Sequence, residues 1–162
     1  MPEMEGALRY KGLPRPTGTG NGATACLMDT LADWNPIPLD PAELAAEKER
    51  MVLEWKHRTQ YEMLRTGAFP DPRETEAALR ELERRAEREL RVEKILREII
   101  RLEALDVTPG ELETAGRDLA RRQRLPEQAA AELLGEGFPE LREDLLMGKA
   151  IRLVWDHTVP CR

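Results

Sequence analysis

Two histidines, His57 and His157, and two cysteines, Cys26 and Cys161, have the strongest claim to nucleophilic or metal chemistry in this sequence. Their arrangement supports neither. The histidines show no HxxxH or HxxE pattern, no Cys–His pair suggests a nucleophile with its base, and two thiols are too few for a disulfide framework or a thiolate metal site. Carboxylates are plentiful, but each helical one has a basic neighbour or a capping role that accounts for it without catalysis. The run TGTGNG at Thr17 to Gly22 lacks the Gly-Lys-Ser/Thr ending of a phosphate loop and follows no strand, so it reads as a flexible linker. What remains is contact chemistry. Met51, Trp55, Tyr61, Met63 and Phe69 gather in one stretch and Met147 stands apart; thioethers repack and aromatic rings offer area, which suits variable apolar partners. The expectation is a binding protein without cofactor or metal.

The stretch holding those residues begins with Asp40-Pro41-Ala42-Glu43, a capped helix start, and closes at Gly67. Positions 52, 55, 59 and 63 follow one helical face, with Leu44, Met51 and Leu64 as further apolar positions. Tyr61 falls off that stripe and Phe69 lies in the link beyond the helix, which makes these two the best candidates for exposure. For the others, the competing reading is a buried seam against a partner helix.

That partner is Asp71 to Leu105, one uninterrupted helix of about 50 Å at 1.5 Å per residue. Asp71, Pro72 and Glu74 form its start, and no further Gly or Pro occurs until Pro109. The link Gly67 to Pro70 is short, so the two helices form an antiparallel hairpin. The first half of the second helix carries a thin row of Ala78, Leu79, Leu82, Ala86 and Leu90. The second half packs Val92, Ile95, Leu96, Ile99, Ile100, Leu102 and Leu105 into a band that needs cover from several sides. Glu76–Arg80, Glu81–Arg85, Glu87–Arg91 and Glu93–Arg97 are spaced to pair along the charged half, each worth roughly 0.2–0.5 kcal/mol. The change of character near Arg91 predicts an arm up to that point and a body beyond it.

Before and after the hairpin the signals are shorter. Met1 to Gly22 is dense in Gly and Pro and leaves little to bury, Ala23 to Leu31 reads as a short helix, and Trp34 to Leu39 is an extended link. Thr108-Pro109 opens a helix with Leu112, Ala115 and Leu119 inward. Leu125-Pro126 opens another through Leu134, and Phe138-Pro139 opens the last, with Leu141, Leu145, Ala150, Val154 and Trp155. With 162 residues, 4% aromatic and 35% charged, the chain is expected to be all-α, an elongated helical domain whose hairpin arm packs on a bundle of shorter C-terminal helices. The net charge of -6, interspersed along the chain, provides no basic face for nucleic acid. No apolar run resembles a signal segment or a membrane span, so neither nucleic acid nor membrane is an expected partner and a cytoplasmic location is expected.

From Trp34 to Thr158 the sequence resembles the C-terminal, substrate-binding domain of trigger factor chaperones. The residues that carry the resemblance are the helix start PLDPAELAAEKE, the Gly-terminated MLRTGAF, the run AERELRVEKILREIIRLEALDVTPGEL and the closing LREDLLMGKAIRLVWDHT. It implies a domain of residues 34–162 behind an N-terminal arm of residues 1–33, cradling unfolded or nascent polypeptide without ATP. A similar helical core occurs in periplasmic parvulin-type chaperones. The ribosome-docking and isomerase domains of trigger factors have no counterpart here, Met1 to Asp33 being too short for either, so those activities are not expected. On this reading Met51, Trp55, Tyr61, Met63, Phe69 and Met147 contact the client. The alternative is a structural or adaptor protein whose hairpin forms a homodimer or docks one specific protein partner.

Overall fold

Proline at the first helical position opens four of the five helices whose ends are defined among the described residues. The computed structural model describes residues 7–126, 128–129, 132 and 139–161. Helix α1 spans Asn21–Trp34, α2 Pro41–Thr66, α3 Pro72–Leu102, α4 Pro109–Arg122 and α5 Pro139–Asp156. Asp40 caps α2 by accepting from the Ala42 N–H at 3.0 Å, and Asp71 caps α3 by accepting from the Arg73 N–H at 2.9 Å. Thr108 caps α4 by accepting from the Glu111 N–H at 3.2 Å. Gly67 closes α2 in the left-handed region at φ 71°, its N–H donating to the Met63 carbonyl. The fold is all-helical: among the described residues the one β-type feature is an isolated parallel bridge between Pro14 and Val159. Most of the helix expected from Leu125-Pro126 to Leu134, and the start signal at Phe138, lie outside the described residues.

The described chain divides into two compact units. The hairpin unit comprises the residues up to Arg9 with Pro16–Ile95, and the C-terminal unit comprises Tyr10–Arg15 with the residues from Leu96 onward. In the hairpin unit, α1 is longer than the sequence suggests because Trp34 completes it instead of opening the link. Asn35 then ends the helix in a buried knot, its side-chain amide donating to the Leu31 and Arg9 carbonyls and its oxygen accepting from the Arg9 N–H at 2.7 Å. Ala23, Leu27 and Leu31 form the buried stripe of α1. Asp29 pairs with Arg88 of α3 at 3.2 Å, and Arg91 donates to the Ile37 carbonyl at 3.2 Å. α1 and the link after it thus lie alongside the middle of α3. Full burial on α3 accordingly begins at Ala86, earlier than the change of composition at Arg91, while Ala78, Leu79 and Leu82 are half-buried.

In the C-terminal unit the last turns of α3 bury Leu96 and Ile99, α4 buries Gly116 and Ala120, and α5 buries Ala150 and Val154. The inward face of α4 is therefore turned one residue from the expected Ala115–Leu119 row, which is half-buried. Both α3 and α4 end without glycine. Ala104 and Arg124 take left-handed geometry at φ 50° and 55°, and in each case the next residue donates back to the carbonyl five positions earlier, Leu105 to Ile100 and Leu125 to Ala120. Arg142 and Val107 donate to the Asp106 carboxylate in the α3–α4 turn, while Lys149 reaches the Asp106 carbonyl and Glu111 at 2.7 Å each.

The glycine- and proline-rich start of the chain was expected to bury little; instead Leu13 is fully buried. Its segment is docked by three backbone bonds to the tail after α5: Gly12 N–H to the His157 carbonyl, Val159 N–H to the Leu13 carbonyl and Arg15 N–H to the Val159 carbonyl, at 2.8–2.9 Å. We predict that Leu13→Ala lowers unfolding free energy by about 2–5 kcal/mol in denaturant titrations, the usual cost of emptying a core leucine site. A change of a few tenths would mean that the segment is an ornament on an independent core.

Candidate functional site

At 100° per residue, α2 has two apolar faces. Met51, Trp55, Thr59 and Met63 lie on one side; Leu53, His57, Tyr61 and Leu64 fall within a quarter turn of each other on the other. The first face looks across at α3. Met51, Glu54, Trp55 and Arg58 of α2, with Ala78, Glu81, Leu82 and Arg85 of α3, enclose a groove of about 210 Å³. The register is antiparallel: Lys94 late in α3 pairs with Glu43 early in α2 at 2.5 Å.

The floor of the groove is apolar and its rim is balanced. Two carboxylates and two guanidiniums line it, and most already have partners: Glu54 accepts from Arg50 at 2.6 Å and Arg85 pairs with Glu89 at 3.1 Å. Arg50 is gripped from both sides, and Glu47, with Glu54 behind it, holds its guanidinium above the ordinary arginine range. Further along α3, Arg80 pairs with Glu76 at 2.7 Å and Arg91 with Glu87 at 3.2 Å, two of the pairs expected from the four-residue spacing. Arg84 lies 3.9 Å from Glu81, and Arg97 reaches Glu143 at 3.3 Å. Such exposed pairs contribute little each and support a helix that lacks cover on its outer face.

The six residues singled out in the sequence occupy different surroundings. Met51 is buried and Trp55 half-buried, and these two line the groove together. Met63 is half-buried on the same side of α2, nearer its end. Tyr61 is 65% exposed and Phe69 84%, in keeping with their positions off the inner stripe and in the link. Met147 is half-buried on α5, in the C-terminal unit, whereas the other five belong to the hairpin unit. Leu53 and Leu64, 53% and 88% exposed, were missed as surface residues. Leu64 counts among the further apolar positions of the helix, and the spacing 53, 57, 61, 64 sets it on the face opposite Met51 and Trp55. Among the described residues no group of three or more His, Cys, Asp or Glu side chains is placed to hold a metal, and no helix is long and apolar enough to cross a membrane.

These positions predict a contrast in stability along one helix. Met51→Ala should cost about 2–5 kcal/mol of unfolding free energy, while Leu64→Ser should stay within about 0.5 kcal/mol. Equal losses in urea titrations of the two variants would mean that α2 does not present the faces described.

Residues 23–156 match the family described as bacterial trigger factor protein (TF) C-terminus. A trigger factor from Anoxybacillus flavithermus is 36% identical over 114 residues, covering 69% of this chain and 26% of that protein. The chain therefore spans about a quarter of the length of this curated relative. A solved structure of trigger factor domains from Thermotoga maritima superposes with a TM-score of 0.61 over 85% of this chain and 84% of that one; at 17% identity the likeness is one of fold.

Proposed function

The chain belongs to the bacterial trigger factor C-terminal family, and from that premise we propose that it is an ATP-independent chaperone module that holds apolar segments of unfolded or nascent polypeptide in the cytosol. Family membership supports chaperone function in general. The observation that carries the finer reading is the set of large apolar side chains left uncovered along α2 and its link, Leu53, Tyr61, Leu64 and Phe69. A single folded chain gains nothing by leaving several large apolar side chains of one helix and its link in water, and such surfaces mark contacts.

On this reading Tyr61 and Phe69 make first contact with a client. Trp55, Met63 and the buried Met51 form the adaptable floor into which a client side chain settles, and Met147 offers a further point of contact. The chemistry is undirected by design: an apolar floor accepts many side chains, a thioether repacks around them, and a charge-balanced rim selects neither acidic nor basic flanks. No bond is made or broken, so no catalytic group is needed.

The single face formed by Leu53, His57, Tyr61 and Leu64 also favours a second reading, an adaptor in which this row seats one fixed protein partner or a second copy. The two readings differ in breadth. Under the chaperone reading the purified protein, in modest molar excess, suppresses aggregation of several unrelated denatured proteins without ATP. Replacing Tyr61, Leu64 and Phe69 together by serine should then abolish most of that suppression while leaving the thermal transition nearly unchanged, because exposed positions contribute little to folding. Full suppression by the triple variant, or none by the parent protein on any client, would count against the proposal. A tight dimer in light scattering that the triple variant dissolves would favour the adaptor.

A further inference from the structure

The C-terminal unit is built partly from six residues that are foreign to it in sequence. Tyr10–Arg15 belongs to this unit, while the chain on both sides of it belongs to the hairpin unit. The segment is bound as an extended peptide would be bound. Its main chain makes the three backbone bonds to His157 and Val159 and a parallel bridge at Pro14. Its centre is anchored by the fully buried Leu13. Its two ends are tied by side chains: the Tyr10 hydroxyl donates to the Glu103 carboxylate at 2.6 Å, and Arg15 Nε donates to the Thr158 hydroxyl at 3.0 Å. Lys11 pairs with the same Glu103 at 3.2 Å.

This is the logic of strand addition, in which backbone bonds give affinity regardless of sequence and one pocket selects a side chain. We propose that the C-terminal unit carries an exchangeable site for an extended polypeptide segment with a leucine at its centre, occupied in the resting chain by residues 10–15. The occupant is tethered, so its effective concentration is high and an outside peptide competes weakly against it. Loosening the tethered segment exposes the site. The exchange shares no residue with the groove of the hairpin unit and stands or falls separately from the chaperone reading.

Gly12 is the place to loosen it. Its φ of 84° suits glycine, and a Cβ there would meet no atom within 4 Å, so Gly12→Ala strains the segment's backbone without filling space. Cys161, exposed and two residues beyond Val159, supplies a reporter at the site once Cys26→Ser removes the other thiol. The labelled full chain is titrated with a blocked peptide of residues 8–17, LRYKGLPRPT. The peptide should bind on the order of ten-fold more tightly to Gly12→Ala than to the parent. Aspartate in place of the peptide's second leucine, the one that corresponds to Leu13, should abolish binding. Tyr10→Phe, which removes the bond to Glu103 and leaves the backbone alone, should shift affinity in the same direction and decides the matter if Gly12→Ala does not fold. The proposal is overturned if the leucine and aspartate peptides bind alike, if parent and both variants bind the peptide equally, or if none binds it. It is also overturned if only a label at Cys26, with Cys161→Ser, reports binding, since that thiol lies on α1 of the hairpin unit.

Discussion

Ile95, Leu96 and Ile99 are all buried within little more than one turn of a single unbroken helix. Side chains at adjacent positions point about 100° apart, so the three span an arc of about 100°, and a stripe of that width has to be covered by packed neighbours. The arrangement of the chain follows from meeting that demand. α3 is the element that both compact units share, Ile95 counting with one and Leu96 and Ile99 with the other. The helix can serve two cores because its 31 residues contain no glycine and no proline after the first position. Its exposed early turns are supported by ion pairs between side chains already held by the helix.

The same economy explains why α2 can display apolar side chains. A helix buried on one face by its hairpin partner has its backbone hydrogen bonds closed internally, so its outer face is free to carry residues that contribute nothing to folding. Leu53, Tyr61 and Leu64 are tolerated there because Met51, Trp55 and the capped ends at Asp40 and Gly67 fix the helix. On the proposed function, a client lands first on side chains that hold no folding contact, before any of its residues reaches the groove lined by Met51 and Trp55.

Much of this was legible in the sequence, and for physical reasons. Asp-Pro and Thr-Pro starts are local signals whose geometry is fixed within one turn, and three of them produced the caps they predict at Asp40, Asp71 and Thr108. The all-α class and the contrast between Leu79 or Leu82 and Ile95 or Ile99 also follow from composition and periodicity. What escaped depends on distant contacts. Nothing within residues 10–15 announces that Leu13 meets the tail beyond α5 more than a hundred residues later, and a Gly/Pro-rich composition hides a bound extended segment as readily as it marks a loose one. Burial at Ala86 depends on α1 arriving from elsewhere, and alanine carries no signal of that. Among candidate contact residues, Leu53 and Leu64 were not singled out, although the angular positions of 53, 57, 61 and 64 put both on the outer face with Tyr61.

The central claim is that the uncovered apolar row of α2 and its link is where unfolded polypeptide meets this protein. The most direct measurement places a photo-crosslinking amino acid at Tyr61 or Phe69 and, as a control, at Glu113, an exposed charged position on α4. Each variant is then irradiated with a permanently unfolded client. The account predicts strong adducts from positions 61 and 69 and background from 113. Equal yields at all three positions, or adducts from 113 alone, would contradict it.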